Sequence, residues 1–143
     1  MSYSTATFQA MSILVYIHFK TEDDLPEFLS TRAICENLGI PTPTAVKVIN
    51  SLKAANLIAT REGAKGGNLL VRPISEITVL DVFTAVEPNR PLFKVYHEIS
   101  GDYEVGDYKD LDQLISNGIQ CLVDADQAMR GSLSSVTLAD LIP

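Results

Sequence analysis

Cysteine and histidine are scarce in this chain of 143 residues: it holds Cys35 and Cys121, His18 and His97, and no others. The two cysteines make no CxxC or other ligand spacing, which excludes a disulfide framework and a zinc site, and a reduced, cytoplasmic protein is the expectation. The histidines stand without Asp, Glu or Cys at catalytic or metal spacing, so His18 is read as part of a packed helix face and His97 as a loop residue. No nucleophile–base pair or pair of acids stands at useful spacing either, which places an enzyme last among the readings. Long apolar runs are missing too, so nothing is expected to span a membrane. The segment Met1 to Phe19 has no basic stretch ahead of its apolar residues, and reads as the first helix of the fold rather than a signal peptide.

Positive charge is also in short supply, and a net charge of −7 argues against a polyanionic partner until it is divided along the chain. Residues 42–72 carry Lys47, Lys53, Arg61, Lys65 and Arg72 against the single acid Glu62, whereas the acids concentrate after residue 73. A local basic patch on an acidic body is compatible with specific binding to double-stranded DNA, because the near field governs phosphate contacts. The acidic half also repels DNA, which should keep non-specific affinity weak.

What is present begins with Thr5 to Phe19, apolar nearly all round and therefore read as a buried helix with Ser4 or Thr5 as its cap. Pro26 excludes helix in the acidic loop that follows. Residues 31–50 fit helix-turn-helix spacing, with Ile34, Leu38, Ile40, Ala45 and Val48 at the apolar positions. Cys35 stands where the helices touch and a small residue is needed, and Gly39 where the turn needs a positive φ. The second helix is expected to start with Thr42 as N-cap and Pro43 in its first position. Its buried face is Ala45, Val48, Ile49 and Leu52. Thr42, Thr44, Lys47, Asn50 and Ser51 are left as the polar set for base edges and phosphates. Asn56 ends the helix.

Leu57 to Thr60 and Leu69 to Arg72 then read as two strands around a Gly-rich basic turn. Gly63, Gly66 and Gly67 supply positive φ and close backbone approach, while Arg61, Lys65 and Arg72 supply phosphate-neutralising charge. A hairpin so placed makes a winged helix-turn-helix.

From Ile74 the character changes. Ile77 to Val86 reads as a compact amphipathic helix, and Pro88 to Gly106 as irregular, with no ligand motif that would identify a small-molecule effector. Tyr108 to Met129 reads as a second long helix. Tyr108, Leu111, Ile115, Gly118, Leu122, Ala125 and Met129 form its heptad stripe, widened by Leu114, Cys121 and Ala128. A stripe that broad calls for a partner, and Gly118 and Ala125 would let two such helices cross closely. Ser135 or Thr137 should cap a short helix, Leu138 to Ile142. The expected fold is thus mainly α with a small β-hairpin wing. Its divisions are a winged helix-turn-helix over 1–87, a connecting loop over 88–107, and a dimerisation helix with its short terminal helix over 108–143.

The order of first helix, "LSTRAICENLGIPTPTAVKVINSLKAANLI", "GAKGGNLL", "ISEITVLDVFTAVE" and "TLADL" resembles the Rrf-type winged-helix transcription regulators across almost the whole chain. The resemblance implies a homodimer joined through the long helix, with recognition helix and wing from each subunit reading a palindromic operator, and the leading reading is a DNA-binding transcriptional repressor. Sensing members hold an iron–sulfur cluster on three closely spaced cysteines before the dimerisation helix. Glu87 to Tyr108 contains none here, so no cluster is expected and the chain is similar to the cluster-free branch. Where many relatives place Arg before the first Gly of the wing, Glu62 stands, and minor-groove insertion would fall to Arg61. The alternative reading is a winged-helix protein-interaction module without direct DNA binding.

Overall fold

The computed structural model describes residues 5–87, 89, 91–93 and 109–143, in two compact units. One unit runs to Pro88 and also takes in Leu133–Pro143; the other is Asn89–Ser132. Helix α1 (Ala6–Glu22) buries Ala10, Ile13, Leu14 and Ile17, the single stripe that spacing of three and four residues creates. It is not buried all round: Phe8 stays 73% exposed and Phe19 44%. Thr5 occupies the N-cap position in a helical conformation and makes no side-chain cap bond, because capping needs an extended backbone there. Pro26 does block α-helix, yet it opens a 3-10 turn over Pro26–Phe28, where its missing N–H costs nothing.

Helix α2 (Thr31–Leu38) starts on Ser30, whose hydroxyl accepts from Ala33 N at 3.1 Å. It ends on Gly39 at φ 65, and Ile40 N then donates back to the Cys35 carbonyl at 3.2 Å. Helix α3 (Thr42–Ala54) is capped one residue earlier than the sequence suggested: Pro41 is the N-cap, Thr42 the first helical residue and Pro43 the second. The first turn has no intrahelical donor to lose, so it accepts Pro43 in either position, and Pro41 keeps the extended backbone that a cap requires. Ala45, Val48, Ile49 and Leu52 are buried as the spacing demands, and so are Ile34, Cys35 and Ile40 of the helix-turn-helix.

Asn56 leaves the helix at φ 58. Strands β1 (Ile58–Arg61) and β2 (Gly67–Leu70) follow, antiparallel, with Ile58 opposite Leu70 and Arg61 opposite Gly67. Both strands lie one or two residues nearer the turn than expected, because Arg61 and Gly67 still pair before the chain bends. Gly63 and Gly67 adopt φ of 105 and 121. Gly66 does not take a positive φ; its requirement is space, since a Cβ there would collide with the Arg61 carbonyl.

Helix α4 (Val79–Val86) begins later than Ile77 because Thr78 and Asp81 form a capping box, with bonds of 3.0 and 2.9 Å. Ile77 is instead extended and fully buried. Beside it returns the end of the chain: Leu138 N donates to the Ile77 carbonyl at 2.9 Å and Val79 N to the Val136 carbonyl at 2.9 Å. Leu138 is fully buried with Ile13, Leu14, Ile34, Leu52, Leu57 and Val82. The terminal stretch, grouped in sequence with the long helix, therefore completes the N-terminal core. It is a 3-10 turn (Ala139–Leu141) rather than an α-helix, and Thr137, not Ser135, pairs with Asp140 at its start.

Helix α5 extends over Lys109–Ser134, all but its last two residues in the second unit, beyond the expected end at Met129 and with no buried residue. Tyr108 lies outside the described residues, as does His97. Leu92 N reaches Asp126 Oδ1 at 2.8 Å and Arg130 Nε reaches Oδ2 at 3.0 Å. These two bonds hold the Asp126 carboxyl below the usual carboxylate range.

Candidate nucleic-acid interface

The outward side of α3 carries exposed Thr42, Lys47, Asn50 and Lys53, with Thr44 and Ser51 half-buried between them. The wing tip carries exposed Arg61, Glu62 and Lys65. Among the described residues, no ion pair engages Lys47, Lys53, Arg61 or Lys65; the pairs are Arg32–Glu36, Arg72–Asp81 and Arg130–Asp126. Four cationic side chains on a helix and a hairpin that follow one another in sequence stand ready for an external polyanion.

Arg72 differs. Its Nη1 donates to the Glu76 carbonyl at 3.2 Å and its Nη2 lies 3.6 Å from Asp81 Oδ2, so it ties the loop after β2 to the start of α4. It also lines a cleft of about 680 Å3 with His18, Leu70, Ile74 and Ile142. His18 stands edge-on to Phe19 at 5.3 Å, in keeping with a packing role.

The wing's attachment involves a residue that the spacing did not single out. Asn68 is only 2% exposed. Its Nδ2 donates to the Leu29 carbonyl and to Thr31 Oγ1, both at 3.1 Å, and its Oδ1 accepts from Thr60 Oγ1 at 3.3 Å. Its backbone N also donates to the Leu29 carbonyl, at 2.8 Å. The sequence reading placed Asn68 in the Gly-rich turn ahead of the second strand, where an exposed Asn is ordinary and nothing marks it for burial.

Cys35 is buried on α2 and Cys121 exposed on α5, in separate units. Among the described residues no group of three or more His, Cys, Asp or Glu comes together as a metal site. With two thiols in the whole chain, the residues present do not fit the thiolate set of an iron–sulfur cluster.

Two short helices crossing at a left-handed glycine, with a two-stranded hairpin bonded to the first of them, define a winged helix-turn-helix protein. The chain belongs to the Rrf2 family, described as iron-dependent transcriptional regulators, whose family pattern matches residues 3–143. It is 25% identical over 131 residues to YwnA of Bacillus subtilis, named as an HTH-type transcriptional regulator, spanning 91% of this chain and 93% of that one. It is 32% identical over 107 residues to the regulator MT1325 of Mycobacterium tuberculosis, covering 72% of this chain and 59% of that one. Among solved structures, CymR, the global cysteine regulator of B. subtilis, superimposes with a TM-score of 0.63 at 21% identity, over 99% of this chain and 95% of CymR. IscR of T. potens gives 0.60 at 22% identity, over 99% and 85%. The protein is a DNA-binding transcriptional regulator and not an enzyme. No described helix is long and apolar enough to cross a membrane.

Proposed function

We propose that this regulator acts as a cytoplasmic homodimeric repressor, without a cluster. Each protomer sets α3 in the major groove of a palindromic operator and the wing on the flanking backbone. The observation that carries the reading is the set of cations on α3 and the wing with no ion-pair partner among the described residues. Lys47 and Lys65, point charges on an exposed helix face and turn, neutralise phosphate. Thr44 and Asn50 have the donors and acceptors that base edges need, with Thr42 and Ser51 beside them. Arg61 is the wing's groove-directed arginine. Arg72, held by Glu76 and Asp81, reaches phosphate only by leaving those partners.

Salt titrations on operator and scrambled duplex test the assignment. Lys47→Ala and Lys65→Ala should weaken both duplexes alike and lower the salt slope by about one per half-site. Asn50→Ala should cost about 1–3 kcal/mol on the operator and relax its base preference. Equal salt slopes and equal specificity ratios across these variants and wild type would overturn the division, and binding by none of them would leave a protein-interaction module.

A further inference from the structure

We propose that Asn68 is a positioning residue that sets the wing on the N-terminal end of α2, so that wing and helix-turn-helix meet DNA as one rigid reader. The inference rests on the reading that the wing touches DNA, and it goes beyond that reading by naming what aims it.

The contacts are unusually concentrated. Asn68 bonds Leu29 twice, through its backbone N at 2.8 Å and its side-chain amide at 3.1 Å. The same amide bonds Thr31, the first residue of α2, and Thr60 of β1 closes the set from the paired strand. Leu29 immediately precedes Ser30, the cap of α2. The neighbouring Gly67 fits against Leu29 so closely that a Cβ would lie 2.8 Å from its backbone. Backbone and side chain together therefore fix the base of the hairpin against one point of the helix-turn-helix.

Stability alone does not ask for an amide here. Burying an amide and bonding it yields a small net gain, and a leucine, with the same branched skeleton, would bury more apolar surface. What an amide adds is direction, since its bonds are satisfied in one orientation only. The backbone bond from Asn68 N to Leu29 survives any side-chain change, so a wing without the amide still forms but is no longer aimed.

Asn68→Leu is the test, read in a double-mutant cycle on operator DNA. Lys65→Ala should lose its effect in the Asn68→Leu background, its salt-slope change of about one per half-site falling towards zero, while Lys47→Ala keeps its full effect in both. Unfolding midpoints should differ little between Asn68→Leu and wild type. If Lys65→Ala lowers affinity by the same factor in both backgrounds, the proposal is overturned. Residual dipolar couplings of the DNA-free protein give a readout independent of any contact. Amides of β1, β2 and α3 should fit one alignment frame in wild type and need two in Asn68→Leu; a single frame in both overturns the proposal. If Lys65→Ala is silent in wild type while the frames separate, the wing's DNA contact fails and Asn68 still stands as its anchor. Should Asn68→Leu not fold, Thr31→Val removes one of the amide's partners at a half-buried site and is measured in the same two ways.

Discussion

Gly67 shows how narrowly one residue determines the wing. Its φ of 121 is a conformation that side chains other than glycine rarely adopt, and Leu29 occupies the space where a Cβ would go. Gly67→Ala should destabilise the protein by about 1–3 kcal/mol, the range for a residue forced into such a region, with the collision added. Gly131→Ala provides the contrast, because nothing lies within 4 Å of its Cβ position in α5. There alanine should stabilise by roughly 0.5–1 kcal/mol through helix propensity. Urea unfolding of both variants checks the pair; a neutral Gly67→Ala would remove the argument for a tightly seated wing. Gly39 and Asn56 were legible in the sequence because a missing Cβ or a short amide has few alternative uses at the end of a helix. Asn68 was not, because burial comes from Leu29 and Thr31, more than thirty residues away, which strand periodicity cannot report.

At the scale of elements, type was easier to read than orientation or limits. The apolar face of α3 follows from one repeat, and the structure keeps all four of its residues inside. Helix α1 offered apolar residues on every side, so spacing could not say which stripe would pack, and Phe8 lies outside it. Ends depend on single bonds: the Thr78–Asp81 box moves the start of α4, and Pro41 takes the cap expected of Thr42. One element carries a pH dependence. Asp126 receives Leu92 N and Arg130 Nε, and its carboxyl is held below its ordinary range by the backbone bond first and the arginine second. A carboxylate depressed in the folded state stabilises above its unfolded pKa, and loses that contribution as pH falls through the lower folded value. The Leu92 amide should therefore be protected from hydrogen exchange at neutral pH and lose protection only below the usual aspartate range. Asp126→Asn should abolish that acid dependence. Protection that does not change with pH would show that the carboxylate plays no part.

For the whole molecule, α5 is the long helix with no buried residue among those described. Leu111 is 41% exposed and Leu114 66%, Gly118 and Ala125 are exposed, and Ile115, Leu122 and Met129 are half-buried. An apolar stripe of this kind supports the proposal of a second protomer as its cover. Ile115→Asp combined with Leu122→Asp would place charge in such a seam, at a cost of several kcal/mol to association. Sedimentation should show wild type dimeric and the variant monomeric at micromolar concentration; a wild type that sediments as a monomer refutes the dimer.

The bridge between Thr78 and Thr137 has a consequence for how such proteins diversify. It joins the two pieces of one compact unit, the run to Pro88 and Leu133–Pro143, which Asn89–Ser132 separates in sequence. Loop-closure entropy grows only with the logarithm of length, by about 0.6 kcal/mol for each doubling. An insertion in that stretch thus weakens the clasp very little, whereas an insertion in the wing would displace the residues that aim it. Asn89–Ser132 is thus the segment in which a change of length costs the DNA-reading unit least.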